Sequence, residues 1–228
     1  MDSVIQTYVW NWKMKWLRTA TSVTLMSLFL PALASEDALP FYDSAEFTPR
    51  WFDPDAVELI DFHRIPSFSF INQDGEEISE QDVAGGVYVA NFFFTSCSGI
   101  CPAIRKKLSL VQAEFLDDDY VKILTHSIRP TTDSVDMLRA YARTNDIQSG
   151  KWHLLTGEKD AIYRLAKEAY FADEDLGENR GGDNFLHTEN LLLIDENRHI
   201  RGVYNGLSTS AVKNLIADIR QLKAGSSP

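Results

Sequence analysis

Val87-Tyr88-Val89-Ala90-Asn91-Phe92-Phe93-Phe94-Thr95-Ser96-Cys97-Ser98-Gly99-Ile100-Cys101-Pro102 decides how this chain folds. The first eight residues form an apolar run of β-branched and aromatic side chains. That length and composition predict a strand buried on both faces. Thr95-Ser96 ends the run, and Cys97 and Cys101 follow with Ser98-Gly99-Ile100 between them. Pro102 then opens a stretch with helical spacing at Ile104, Leu108, Val111 and Phe115. Proline suits a first helical turn, where its missing N–H would have had no partner. Both sulfurs are therefore expected where a buried strand gives way to a helix. A helix N-terminus favours the thiolate, so a lowered thiol pKa is expected there. These are the only two cysteines in the chain. A disulfide closing so short a loop adds little stability, and the spacing favours chemistry over stapling.

The chain has 228 residues, enough for one ordinary domain with extensions. Its formal charge of −11 argues against nucleic acid as a partner. Residues 1–34 read as a signal peptide. Lys13, Lys15 and Arg18 form a basic region, Ala20 to Leu30 is a short apolar stretch, and Ala32-Leu33-Ala34 is a small-x-small cleavage site. An uncleaved N-terminal anchor is the alternative, although the apolar stretch is short for a membrane span. Met14 opens a more usual leader than Met1. Export places the cysteines in an oxidising compartment.

Residues 35–56 carry aromatic residues without a period and are read as an extended lead-in. His63 to Ile71 reads as a strand, Asp74-Gly75 as a hairpin turn, and Ile78 and Val83 lie on the return. After the strand from Val87, the spacing predicts a helix over 102–116, a strand over 120–128 and a helix over 134–144. A strand over 152–155 and a helix over 161–170 follow. Residues 172–184 are acidic and Gly-rich and read as a mobile loop. Strands at 190–194 and 199–204, and a helix over 209–222, complete the chain. The order predicts an α/β fold over 57–224: a thioredoxin-like three-layer sandwich with a mixed central sheet and an N-terminal β-hairpin extension. The cysteines fall on the strand-to-helix edge of that sheet.

The residues Phe92-Phe93-Phe94-Thr95-Ser96-Cys97-Ser98-Gly99-Ile100-Cys101-Pro102 resemble the F-x-[FY]-T-x-C-x-x-x-C-P pattern of the Sco/SenC family. Trp152 with Leu155-Thr156-Gly157 matches that family's W-x-x-L-T-G segment. Phe185-Leu186-His187-Thr188 and Leu191 to Asp195 match the strand that carries its histidine. Arg129, in Ser127-Ile128-Arg129-Pro130-Thr131-Thr132-Asp133-Ser134, stands where many members have an acid. The resemblance covers roughly residues 40–222.

It implies a copper-binding thioredoxin-fold protein of respiratory cytochrome oxidase assembly, with Cys97, Cys101 and His187 as metal ligands. The chemistry agrees, because two thiolates and one imidazole form a soft, low-coordinate set that suits Cu(I). Cu(II) is the other copper state the resemblance implies. Structural zinc would want a fourth protein ligand. The implied role is delivery of Cu(I) to the CuA-bearing oxidase subunit, in the periplasm or at the periplasmic face of the inner membrane. A periplasmic copper donor and a thiol reductant are further implied partners.

The alternative function is a thiol–disulfide reductase, with Cys97 and Cys101 as a redox-active pair acting on the same subunit. Peroxiredoxin-type peroxidase chemistry is excluded, because Ala90 and Phe94 occupy the positions that need Pro and Thr. A copper or redox sensor has only the acidic loop in its favour. Of the remaining histidines, His63, His153 and His199 read as structural. His126 reads as a group that could support the site from the end of its strand.

Overall fold

Residues 38–53, 55–172 and 189–225 are described in the computed structural model of this chain. They build two layers of packing around a five-stranded sheet. Strand β3 (Val87–Phe93) is buried at every residue, as its apolar run demands. It pairs in parallel with β4 (Val121–Ser127), from Val87 opposite Val121 to Phe93 opposite Ser127. β4 pairs in parallel with β5 (Trp152–Leu155). On the other side β3 runs antiparallel to β6 (Asn190–Ile194), and β6 antiparallel to β7 (Ile200–Asn205). The order β5-β4-β3-β6-β7 makes the sheet mixed, as expected.

Alternation along β3 divides the core. Val87, Val89 and Phe93 pack with residues of helices α1 (Cys101–Glu114), α2 (Val135–Thr144) and α4 (Thr209–Gly225). Tyr88, Ala90 and Phe92 face the opposite layer. That layer holds the hairpin of β1 (Ser69–Ile71) and β2 (Glu77–Ser79), and α3 (Lys159–Arg164) with a π-helical turn over Leu165–Ala169.

The hairpin also closes an edge of the sheet. Gly75 sits at φ +85° in its turn, a backbone region open to glycine. Gln73 behind it acts as a piece of strand: its Oε1 accepts from Leu154 N at 2.7 Å, and its Nε2 donates to Trp152 O at 2.9 Å. With the Ile71–Thr156 bridge, this satisfies backbone groups that edge strand β5 would otherwise present.

Two elements differ from the sequence expectation. The strand expected from His63 begins only at Ser69. Pro66 cannot donate to a ladder, and the backbone before it instead sends Ile65 N to Arg198 O. The helix expected over 161–170 is α-helical only from Lys159 to Arg164 and then widens into the π turn. Tyr170 follows directly, and its hydroxyl lies 3.1 Å from that of Tyr88 in the core. In the lead-in, Phe41 is buried against Phe52, Phe62 and His199, and Tyr42 N donates to Ile200 O. Residues 1–34, expected to be a leader, and most of the expected acidic loop (172–184) lie outside the described residues. Among the described residues no helix is long and apolar enough to cross a membrane.

Candidate metal centre

β3 ends at Phe93 because the apolar run gives way to Thr95-Ser96. The chain turns there, with Cys97 N donating to Phe94 O at 3.2 Å. Ser96, Ser98, Gly99 and Ile100 are exposed. Helix α1 starts at Cys101, with Pro102 in its first turn as the sequence requires. Cys97 and Cys101 are free thiols, each part-buried, and near enough that Cys97 acts on the Cys101 thiol. Both cysteines therefore lie where β3 gives way to α1, the junction expected from the sequence.

The expected lowering of the thiol pKa does not hold for Cys101. Burial pushes this thiol up to about 12, and Cys97 beside it acts in the same direction. Backbone hydrogen bonds at Phe94 and at Cys101 itself oppose the shift and are outweighed. A thiol tucked under a second sulfur loses more from desolvation than it gains from the helix end.

Behind Cys101 lies a wall of side chains from α1, α2 and the sheet. Tyr141 from α2 packs at a tilt against Phe93, with ring centroids 5.4 Å apart. Burial raises its phenol pKa; the charge of Arg105 and a hydrogen bond to it pull the other way. The charges of Cys101 and Cys97 push that pKa up as well. A cavity of about 10 Å³ lies among Cys101, Arg105, Tyr141 and a buried polar chain. In that chain Trp152 Nε1 donates to Thr125 Oγ1 at 2.8 Å, and Thr125 Oγ1 donates to Asn91 Oδ1 at 2.6 Å.

A model of the SCO1/SenC family matches residues 61–224. The chain belongs to the SCO1/SenC family. A SCO1/SenC family lipoprotein from Bacillus anthracis str. Ames is 28% identical, with a TM-score of 0.62, over 71% of this chain and 95% of that one. BsSco, described with a disulfide switch and as a member of the Sco family of cytochrome c oxidase assembly proteins, is 25% identical. Its TM-score is 0.61, over 71% of this chain and 94% of that one. Arabidopsis thaliana ScoI, solved with copper bound, shares the fold at 23% identity and a TM-score of 0.53, over 68% of this chain and 98% of that one.

His187 lies outside the described residues. Among the described residues, no group of three or more His, Cys, Asp or Glu could hold a metal. His126 is not brought to the thiols. It pairs with Phe92 across the β3–β4 ladder and packs among Phe68, Phe70, Phe92 and Tyr170, whereas Cys101 packs with the core on the helical face. His63, His153 and His199 hold structural hydrogen bonds to Ala169 O, Asn72 and His63 O respectively. Arg129, the family departure, lies over the Phe94 ring at 4.9 Å. Tyr141 was signalled in the sequence only by helical phase, as an inward position, whereas Arg105 reads there as part of a basic, solvated helix face with Lys106 and Lys107 that could help lower the thiol pKa.

Proposed function

We propose that this protein carries copper during cytochrome c oxidase assembly. Cys97 and Cys101 hold Cu(I), His187 supplies the third ligand, and the metal is the cargo delivered to the CuA-bearing subunit. The observation that carries this reading is the neighbouring pair of free, part-buried thiols at the end of β3. Two neighbouring sulfurs can chelate one soft ion with little rearrangement, and thiolate donors select Cu(I). Copper held by a relative of the same fold, and the oxidase-assembly description of BsSco, support the same reading. Residues 1–34 fit export, to the periplasm or to its face of the inner membrane.

The same pair can close a disulfide, and the disulfide switch described for BsSco favours a second reading: thiol–disulfide reduction of the oxidase subunit. A disulfide removes both sulfur donors, so metal carriage and exchange are exclusive uses of the same atoms. Titration of the reduced protein with Cu(I) against a chelator competitor tests the first reading. One tight copper per chain is expected, lost in Cys97→Ser/Cys101→Ser and weakened strongly in His187→Ala. Weak binding, or binding indifferent to His187, would reject the three-ligand site and leave thiol exchange as the function.

A further inference from the structure

The loop that carries Cys97 is tethered ahead of the cysteine by a buried carboxylate, Asp133. Asp133 is 1% exposed. Its Oδ1 accepts from Thr95 Oγ1 at 2.5 Å, and its Oδ2 accepts from Thr95 N at 3.2 Å and from Ser127 Oγ at 2.5 Å. Its own N–H donates to Arg129 O, and the next residue, Ser134, caps α2 by accepting from Met137 N. Its side chain thus joins the end of β4 to the root of the cysteine loop, from a residue next to the cap of α2.

The arrangement is costly unless it positions something. A carboxylate taken out of water needs strong compensation, and here neutral N–H and O–H donors provide it. The residues it does not hold, Ser96 and Ser98 to Ile100, are exposed. Cys101 is fixed separately by the first turn of α1. The spacing of the two sulfurs therefore depends on how firmly Thr95 is held, two residues before Cys97.

We infer that Asp133 is a positioning residue for the cysteine pair, acting through Thr95 to keep Cys97 in reach of Cys101. This rests on the proposed use of the pair as a thiol site. Loosening the tether raises the entropic cost of bringing the sulfurs together, whether in a disulfide or around one ion.

The experiment equilibrates the protein with glutathione: the Cys97–Cys101 disulfide plus two glutathione thiols gives the dithiol plus one glutathione disulfide, a two-electron exchange. Wild type, Thr95→Ser, Thr95→Val and Asp133→Asn are compared, with Cu(I) competition and melting of the oxidised and reduced forms alongside. Thr95→Val and Asp133→Asn are expected to shift the equilibrium about tenfold toward the dithiol, which is about 30 mV. Both should also weaken Cu(I) binding, and Thr95→Ser, which keeps the hydroxyl, should stay near wild type. A merely structural role would lower the melting temperature of both forms alike and leave the equilibrium within about twofold; that result overturns the inference. Because Thr95→Val leaves Asp133 its other donors, the test survives if Asp133→Asn does not fold. A wild-type pair that neither binds Cu(I) nor forms a reversible disulfide would instead overturn the proposed function itself. A reversible disulfide without Cu(I) binding leaves this inference to be decided by the glutathione equilibrium alone.

Discussion

The imidazole of His126 stacks on the ring of Phe92, with centroids 5.4 Å apart and planes 27° from parallel, and neither ring nitrogen has a hydrogen-bond partner. Burial pushes its pKa down to about 3. The unfolded chain would bind this proton near pH 6.5, so the folded state binds fewer protons between those values. Stability from this group is fully present above about pH 6.5 and is lost as pH falls toward about 3, at up to about 1.4 kcal/mol per pH unit. His126→Phe should flatten the pH dependence of the urea midpoint across that window. It should also raise stability by about 1 kcal/mol at neutral pH, since two unpartnered polar atoms leave the core. An unchanged slope would remove His126 as the source.

The raised pKa of Cys101 fixes an order of reactivity. At about pH 8 its sulfur is held as the thiol by burial and by Cys97, and alkylation depends on the thiolate. Iodoacetamide should therefore label Cys97 before Cys101, as read by peptide mass spectrometry. Binding Cu(I) on both sulfurs must release the Cys101 proton. Apparent affinity should then rise about tenfold per pH unit for that proton, up to about pH 12. Preferential labelling of Cys101 would show that the two thiols are assigned the wrong way round.

The parts of this chain that were legible in its sequence are those written in local pattern. Val87–Phe93 reads as a doubly buried strand because every side chain in it is apolar or small, except Asn91. Pro102 reads as a first turn because of its missing N–H. Ser134 is a helix cap that a sequence can announce. The π turn after Arg164 could not be read, since the change from one hydrogen-bond period to another is set by where Tyr170 must reach in the core. The hold of Asp133 on Thr95 joins residues 38 apart, and Gln73 meets Leu154 across 81. Contacts of that range exist only once the sheet has brought the strand ends together. The thiol pKa failed for a related reason: the helix end is local, but the burial that outweighs it is tertiary.

Gly157, the last residue of the Trp152–Gly157 segment, has a packing reason to be glycine. A Cβ there would stand 2.9 Å from Cδ1 of Phe70. That ring is 4% exposed and meets the edge of His126 at 5.6 Å, so it has little room to yield. Gly157→Ala should destabilise the fold by about 1–3 kcal/mol, the usual cost of overpacking, in a denaturant titration. A change below about 0.5 kcal/mol would mean that the hairpin shifts freely over the sheet.

Trp152 tests whether the polar chain behind Cys101 acts as a unit. Its indole is 1% exposed and donates to Thr125 Oγ1, which in turn donates to Asn91 Oδ1. Trp152→Phe removes the donor and some ring volume, and it leaves the Thr125 hydroxyl with one partner fewer. The expected loss is about 2–3 kcal/mol, combining a broken buried hydrogen bond with an enlarged cavity. Thr125→Val removes the middle of the chain and strands both the indole N–H and Asn91. If the three groups are coupled, the double variant should cost about 1 kcal/mol less than the sum of the two single changes. Cu(I) affinity should fall little in Trp152→Phe, because the sulfurs are placed by α1 and by the Thr95 tether rather than by this chain. Additive stabilities would show that the polar groups are satisfied independently. A large loss of Cu(I) binding would show instead that the wall behind Cys101, not the loop in front of it, sets the spacing of the thiols.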